Sequence, residues 1–345
     1  MMLAKLPIEF NTVINRLREK DWLITCYDTE KFDIYNPWIY YFNQYNYGIK
    51  YKIVIDRNIF QYIINSARKD SSHQVYKDAI ALIAFCQAAE IDIEPSLAIY
   101  EKINYFKINA DEAVGELQDF YNIDNTDTNI LLNYVMEQSN QVAVTYIKKI
   151  DKNILTKQLT QSERLTDWNS LYLLMLKLVS IYQENINHKV KLYKFLEWMI
   201  ERFRLSNIVI IYSIILFFNP LPKMIKYKKD NSKEQKAQQL RNMTWDIYFM
   251  NRFLKLWQCK AENEEIIFAS DDKVIKQILS MSIAVNKNES FEPLKKYISE
   301  KDYDILEEAL KITAHENNRI YGTDEWTREY RQELIVELED ELLRY

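Results

Sequence analysis

Glycine is the scarcest informative residue in this chain of 345: there are three, at positions 48, 115 and 322. An average chain of that length holds roughly 24, at about 7%. Three isolated glycines exclude both a G-x-G-x-x-G dinucleotide loop and a Walker A phosphate loop, which need glycines at close spacing. With six prolines they also leave little material for tight hairpins, which argues against an all-β fold. Cys26, Cys86 and Cys259 are odd in number and unclustered, so neither a disulfide framework nor a zinc site is indicated. The histidines, at 73, 188 and 315, lack a second histidine four residues on, which excludes a zincin helix. No charge sign dominates: 45 basic residues against 50 acidic ones give −5, which sets up no global attraction to nucleic acid. The longest apolar run, 208–218, falls short of the about 20 residues that cross a bilayer, and the amino terminus lacks the apolar core of a secretory leader. The expectation is a helix-dominated cytoplasmic protein without membrane contact.

What is present suits a packed core. Hydrophobic residues make up 48% and charged residues 28%, and the length predicts one enlarged domain or two. Residues 51–56, Tyr-Lys-Ile-Val-Ile-Asp, read as a short strand, because β-branched side chains suit a pleated backbone. The run ends in Asp56-Arg57-Asn58 and passes into a helical pattern at Ile59, Phe60, Ile63 and Ile64. Residues 265–269 repeat this shape, ending in Ser270-Asp271-Asp272 ahead of Val274, Ile275, Ile278 and Leu279. Between them lie a helix at 75–89, a break at Ile93-Glu94-Pro95, and a helix opened by Pro95. The stretch 104–240 reads as helical, with 208–218 a buried helix or strand and 226–240 a polar connector. Thr244 reads as an N-cap that places Asp246 in a first turn.

Two strands that each deliver carboxylates into a helix start are the feature with chemical content. In open α/β sheets, ligands collect beyond the carboxyl ends of strands. Were these strands parallel neighbours, their acids would meet at one rim. Crowded carboxylates repel one another and tend to hold protons. A hard divalent cation, Mg²⁺ or Mn²⁺, removes that conflict. With no histidine or cysteine cluster, an all-oxygen site is the only well-motivated metal site.

At these residues the sequence resembles the PIN-domain nucleases, in their larger bacterial PIN-like branch. The resemblance rests on IVID-R-N with Asp56 and Asn58, on AIALIAFCQAAEIDIEPSLAIYE with Glu101, on NMTWDIYFMNRF with Asp246, and on EIIFASDDKVI with Asp271 and Asp272. It implies an α/β fold, helix-dominated, with a small mostly parallel sheet flanked by helices. The implied division is an aromatic helical extension at 1–49, PIN-like parts at 50–103 and 241–284, a helical insertion at 104–240 and a helical tail at 285–345. It implies a metal-dependent nuclease that hydrolyses phosphodiester bonds in RNA, in stress response or phage defence, with single-stranded DNA as the other candidate polymer. A protein inhibitor or a second copy of the chain are candidate partners. Asp56, Glu101, Asp246 and Asp271 would hold one or two Mg²⁺ or Mn²⁺ ions, with Glu90 and Glu94 competing for the place of Glu101. Asn58, Asp272, Lys273 and Arg57 would bind the cofactor or the phosphate, with Arg241 and Arg252 as further backbone contacts.

Each residue also has a plainer reading. Asp56, Asp271, Asp272 and Asp246 are residue types that cap helix starts or favour their dipole. Glu101 reads equally as a surface glutamate. The lysines between 223 and 236 read as a solvated face, and the 47 aromatic residues (25 Tyr, 15 Phe, 7 Trp) as core. On those readings the chain is a non-catalytic helical adaptor. A degenerate RNA binder and a DNA-directed flap-type nuclease with more acids complete the alternatives.

Overall fold

A computed structural model describes residues 6–27, 32–69, 73–105, 109–161, 166–315 and 320–343. The chain is helix-dominated, with a small, mostly parallel sheet flanked by helices. It divides into two compact units, 1–162 with 253–272 and 163–252 with 273–345. The first carries α1 (Phe10–Lys20), β1 (Leu23–Thr25), α2 (Pro37–Tyr47), β2 (Lys50–Ile55), α3 (Arg57–Arg68), α4 (Gln74–Ala89), β3 (Asp92–Glu94), α5 (Ser96–Tyr105), α6 (Ala110–Asp124), α7 (Thr128–Val135) and α8 (Lys152–Gln161). The second carries α9 (Thr166–Gln183), α10 (His188–Arg202), α11 (Asn207–Phe218) and α12 (Lys233–Gln258) up to Arg252. After α12 the chain gives the first unit its last strand, β4 (Glu264–Ala269). The second unit then takes α13 (Lys273–Asn288), α14 (Glu300–His315) and α15 (Arg328–Leu343).

The strand order is β1-β4-β2-β3, with β1 antiparallel to β4 and the other pairs parallel. β2 and β4 are the inner strands and run in register from Lys50↔Glu264 to Ile55↔Ala269. Ile53, Val54 and Ile55 are fully buried, as are Ile267, Phe268 and Ala269. Such near-continuous apolar runs mark strands covered on both faces. Each Ile or Val buried this way contributes about 1.5–3 kcal/mol. Gly48 ends α2 at φ +66, a left-handed turn that feeds directly into β2. In one core with the strands lies α4, buried from Tyr76 to Cys86, with α1, α2, α3 and α7 packed on it. Its buried Asp78 is compensated by Arg16 at 3.1 Å and Lys20 at 3.0 Å.

Four expectations need correction. Residues from 104 onward do not begin an insertion: Ala113, Leu117, Phe120 and Ile123 of α6 and Leu131 to Val135 of α7 include core residues shared with the strands. The helical unit begins at 163 instead, and it takes 241–252 and 273–345 as well. Helical periodicity reveals an apolar face but not which neighbour will cover it. Thr244 is no N-cap but an interior residue of α12, where its hydroxyl donates back to the carbonyl of Leu240 at 2.9 Å. The break at Ile93-Glu94 is part of β3, paired Lys52↔Asp92 to Val54↔Glu94.

In the second unit, α11 is a helix buried along its length from Ile208 to Phe217, with α9, α10 and α13 packed on it. The charged last helix, α15, lies on α9 through Ile335, Leu338 and Leu342. The Tyr172 hydroxyl donates to Glu339 at 2.6 Å. Among the described residues no helix is long and apolar enough to cross a membrane.

Candidate active site

β2 and β4 end side by side, which brings Asp56 next to Ser270 at the carboxyl rim of the sheet. The Asp56 amide donates to the Ala269 carbonyl at 3.1 Å, carrying the ladder one step past the strands. Asp56 is extended (φ −75, ψ 170) and caps α3, its Oδ1 accepting from the Ile59 amide at 2.8 Å. Its Oδ2 accepts from the Ser270 hydroxyl at 2.6 Å. Ser270 is fully buried, and its Oγ accepts in turn from the Asp272 amide at 3.1 Å. Asp271 is fixed by Trp22, whose indole Nε1 donates to Oδ1 at 2.8 Å. Trp22 is placed by the antiparallel edge strand: it precedes β1, and its carbonyl accepts from the Ser270 amide at 3.0 Å.

The electrostatics of this rim are unfavourable to its own charges. Asp56 is buried, and that burial pushes its carboxyl up to about 6; the negative charges of Asp271 and Asp272 push the same way, against the Ile59 and Ser270 hydrogen bonds. Tyr62, on α3, is also pushed up, by burial first and then by Asp271 and Asp56. Its ring lies 6.4 Å from that of Trp22. Three carboxylates therefore share one field, as crowding at a strand rim predicts.

The other expected residues are placed differently. Glu101 is buried on α5, and its Oε2 meets Arg57 Nε at 3.3 Å. Arg57 is the first residue of α3, so Glu101 pairs with the residue next to Asp56 in the chain. Asn58 follows in the same first turn. Glu90 and Glu94 line a separate cavity, and Glu94 Oε1 accepts from the Ser96 amide at 2.9 Å. Asp246 belongs to the helical unit, well inside α12 and not in a first turn, and is ion-paired with Lys226. Arg241, Arg252 and Lys273 fall in that unit too. Of the lysines between 223 and 236, Lys236 departs from a solvated face: it is fully buried, its Nζ without a hydrogen-bond partner among the described residues. The aromatic core reading fails on α2, where Phe42, Tyr45 and Tyr47 are exposed.

Ser270, Trp22 and Tyr62 were not singled out by sequence. Ser270 carries a usable signal, since it fills the first position after a strand that ends in acids. Trp22 carries none, because a three-residue edge strand leaves too little alternation to read.

No protein-family model, curated protein or solved structure matches this chain.

The donor chemistry at the rim suits a hard divalent cation, which would offset both the burial and the neighbouring negative charge that raise Asp56. Among the described residues, no three His, Cys, Asp or Glu side chains stand close enough to hold a metal ion. The rim fits a sparser site, because Mg²⁺ is commonly held by one or two carboxylates, with water and substrate phosphate in the remaining positions.

Proposed function

We propose that the Asp56 rim is the catalytic centre of a PIN-like, Mg²⁺- or Mn²⁺-dependent nuclease that hydrolyses phosphodiester bonds in RNA, in the cytoplasm. Support comes above all from one observation. Two acids 215 positions apart in the chain, Asp56 and Asp271, act on each other's field at the ends of neighbouring parallel strands. Asp56 and Asp271 would hold the cation, which when bound supplies Lewis acidity and a water of lowered pKa. The chain's own residues prepare the place. Ser270 and the Ile59 amide aim the Asp56 carboxylate, Trp22 aims Asp271, and Arg57 at the start of α3 supplies a cation for a phosphate oxygen.

A second reading, a degenerate RNA binder or non-catalytic adaptor, draws on the ion pairs. Glu101 with Arg57 and Asp246 with Lys226 are acids already neutralised by the protein. The two readings part in one experiment. Purified protein is incubated with mixed RNA and, separately, single-stranded DNA in Mn²⁺, with and without chelator, beside Asp56→Asn. Chelator-sensitive RNA cleavage that Asp56→Asn lowers about 100-fold or more is the expected result, on the scale of a lost catalytic group. Equal cleavage by parent and variant removes Asp56 from the chemistry. No cleavage of either polymer by the parent favours the non-catalytic reading, and cleavage of DNA alone reassigns the substrate.

A further inference from the structure

Tyr62 stands beside the Asp56 rim with its ring packed and its hydroxyl unspent. It lies on α3, the helix that Asp56 caps, and side chains on a helix lean toward its amino end, here toward the rim. Its ring centre is 6.4 Å from that of Trp22, whose indole holds Asp271, and 6.2 Å from that of Tyr76 on α4. We propose that the Tyr62 hydroxyl donates a hydrogen bond to a non-bridging oxygen of the scissile phosphate. The assignment rests on the nuclease reading above and adds to it a contact with the substrate.

The other donors at the rim are already engaged. The Ile59 amide and the Ser270 hydroxyl donate to Asp56, the Trp22 indole to Asp271, and the Asp272 amide to Ser270. Arg57 meets Glu101 at 3.3 Å. Tyr62 is half-buried, and its hydroxyl makes no hydrogen bond among the described residues. Other phenols of the same unit are spent inside the protein: Tyr35 donates to Asp21, and Tyr40 to the Ile34 carbonyl.

A neutral donor suits this place better than a cation does. Elsewhere in the chain a lysine beside an acid is taken up by it, as Lys226 is by Asp246 and Lys189 by Asp302. A phenol adds no positive charge that would compete with a metal ion for the rim carboxylates. Burial, Asp271 and Asp56 all favour its protonated form, so at neutral pH it is an O–H donor and not a phenolate. It keeps that proton throughout, and no bond of the hydroxyl is made or broken. A donor fixed in place gains strength as charge gathers on the phosphate oxygens in the transition state. Two rings already adjoin Tyr62, which leaves the hydroxyl rather than the ring as the part free to meet a ligand.

Tyr62→Phe removes the hydroxyl and keeps the ring. RNA cleavage in Mn²⁺ is measured over a range of substrate concentrations for the parent, Tyr62→Phe and Tyr76→Phe, beside their thermal midpoints and Mn²⁺ uptake. The expected result is a kcat lowered about tenfold or more in Tyr62→Phe, the scale of one hydrogen bond to a charged group. KM, midpoint and Mn²⁺ uptake should match the parent. Tyr76→Phe, which loses a hydroxyl that accepts from Asn65 at 3.4 Å, should cleave as the parent does. An undiminished kcat in Tyr62→Phe overturns the assignment and leaves the nuclease reading standing. A loss confined to KM, or a lowered midpoint, overturns it too, since the hydroxyl would then serve binding or the fold. A parent that cleaves no RNA removes the nuclease reading, and this contact with it.

Discussion

Asp56 in the sheet unit and Asp302 in the helical unit occupy nearly the same local frame. Both are buried, both stand at the start of a helix, and both accept from a serine hydroxyl, Ser270 and Ser299 respectively. Their charges fare oppositely. Burial opposes ionisation of Asp302, but Ser299 and the Lys189 ammonium at 2.9 Å outweigh it and hold the carboxyl below its usual range. At Asp56 burial lifts the carboxyl to about 6, and Asp271 and Asp272, standing in place of a lysine, add to the rise. Asp56 caps α3 itself, whereas Asp302 sits in the first turn of α14 with its amide donating to Ser299, so an acid at a helix start does not by itself separate them. What separates them is whether the protein supplies the counter-charge. Asp302 is complete as it stands, whereas Asp56 has the electrostatics of a group that awaits a ligand.

The sharpest way to break that comparison is to neutralise each acid without changing its shape. Asn caps helices as well as Asp does, so Asp56→Asn keeps the Ile59 hydrogen bond. A carboxyl raised from 3.8 to about 6 loses up to about 3 kcal/mol of stability once ionised. The sign follows from linkage: the folded state binds the proton more tightly, so stability falls as pH rises from near 4 to about 6 and stays low above. Asp56→Asn should therefore be more stable than the parent at neutral pH, by up to about 3 kcal/mol, and should lack that acid-side slope. Denaturant midpoints across this pH range measure both, and a variant less stable than the parent at neutral pH would return Asp56 to a structural role. The opposite sign is expected at Asp302→Asn, with a smaller effect of about 1 kcal/mol, because Lys189 is half-exposed and resolvates when its partner is lost. That contribution is present at neutral pH and fades as pH falls through the lowered carboxyl value. Asp302→Asn matching or exceeding the parent would erase the contrast.

Much of the rim was legible because strand and helix periods meet at it. Ile53 to Ile55 and Ile266 to Ala269 alternate with nothing polar, each run stops on a polar group, and a helical pattern follows at once. Parallel pairing then had to align the two ends, and it does. What was not legible is tertiary. β1 and β3 are three residues each, too short to show a period, yet β1 brings Trp22 to Asp271. NMTWD looks like a helix start because threonine and aspartate are cap residues, but α12 begins eleven positions before Thr244. Its first turns are polar and offer no apolar stripe to mark them. The partition of helices between the units depends on which apolar faces meet, and Phe120 or Leu131 looks the same in either.

A titration of Mn²⁺ into the parent, Asp56→Asn and Asp302→Asn, followed by calorimetry at neutral pH, probes the central claim most directly. Saturable uptake by the parent and by Asp302→Asn, lost in Asp56→Asn, is the expected result. Mn²⁺ binding that survives unchanged in Asp56→Asn, or a parent that takes up none, contradicts the rim as a cation site.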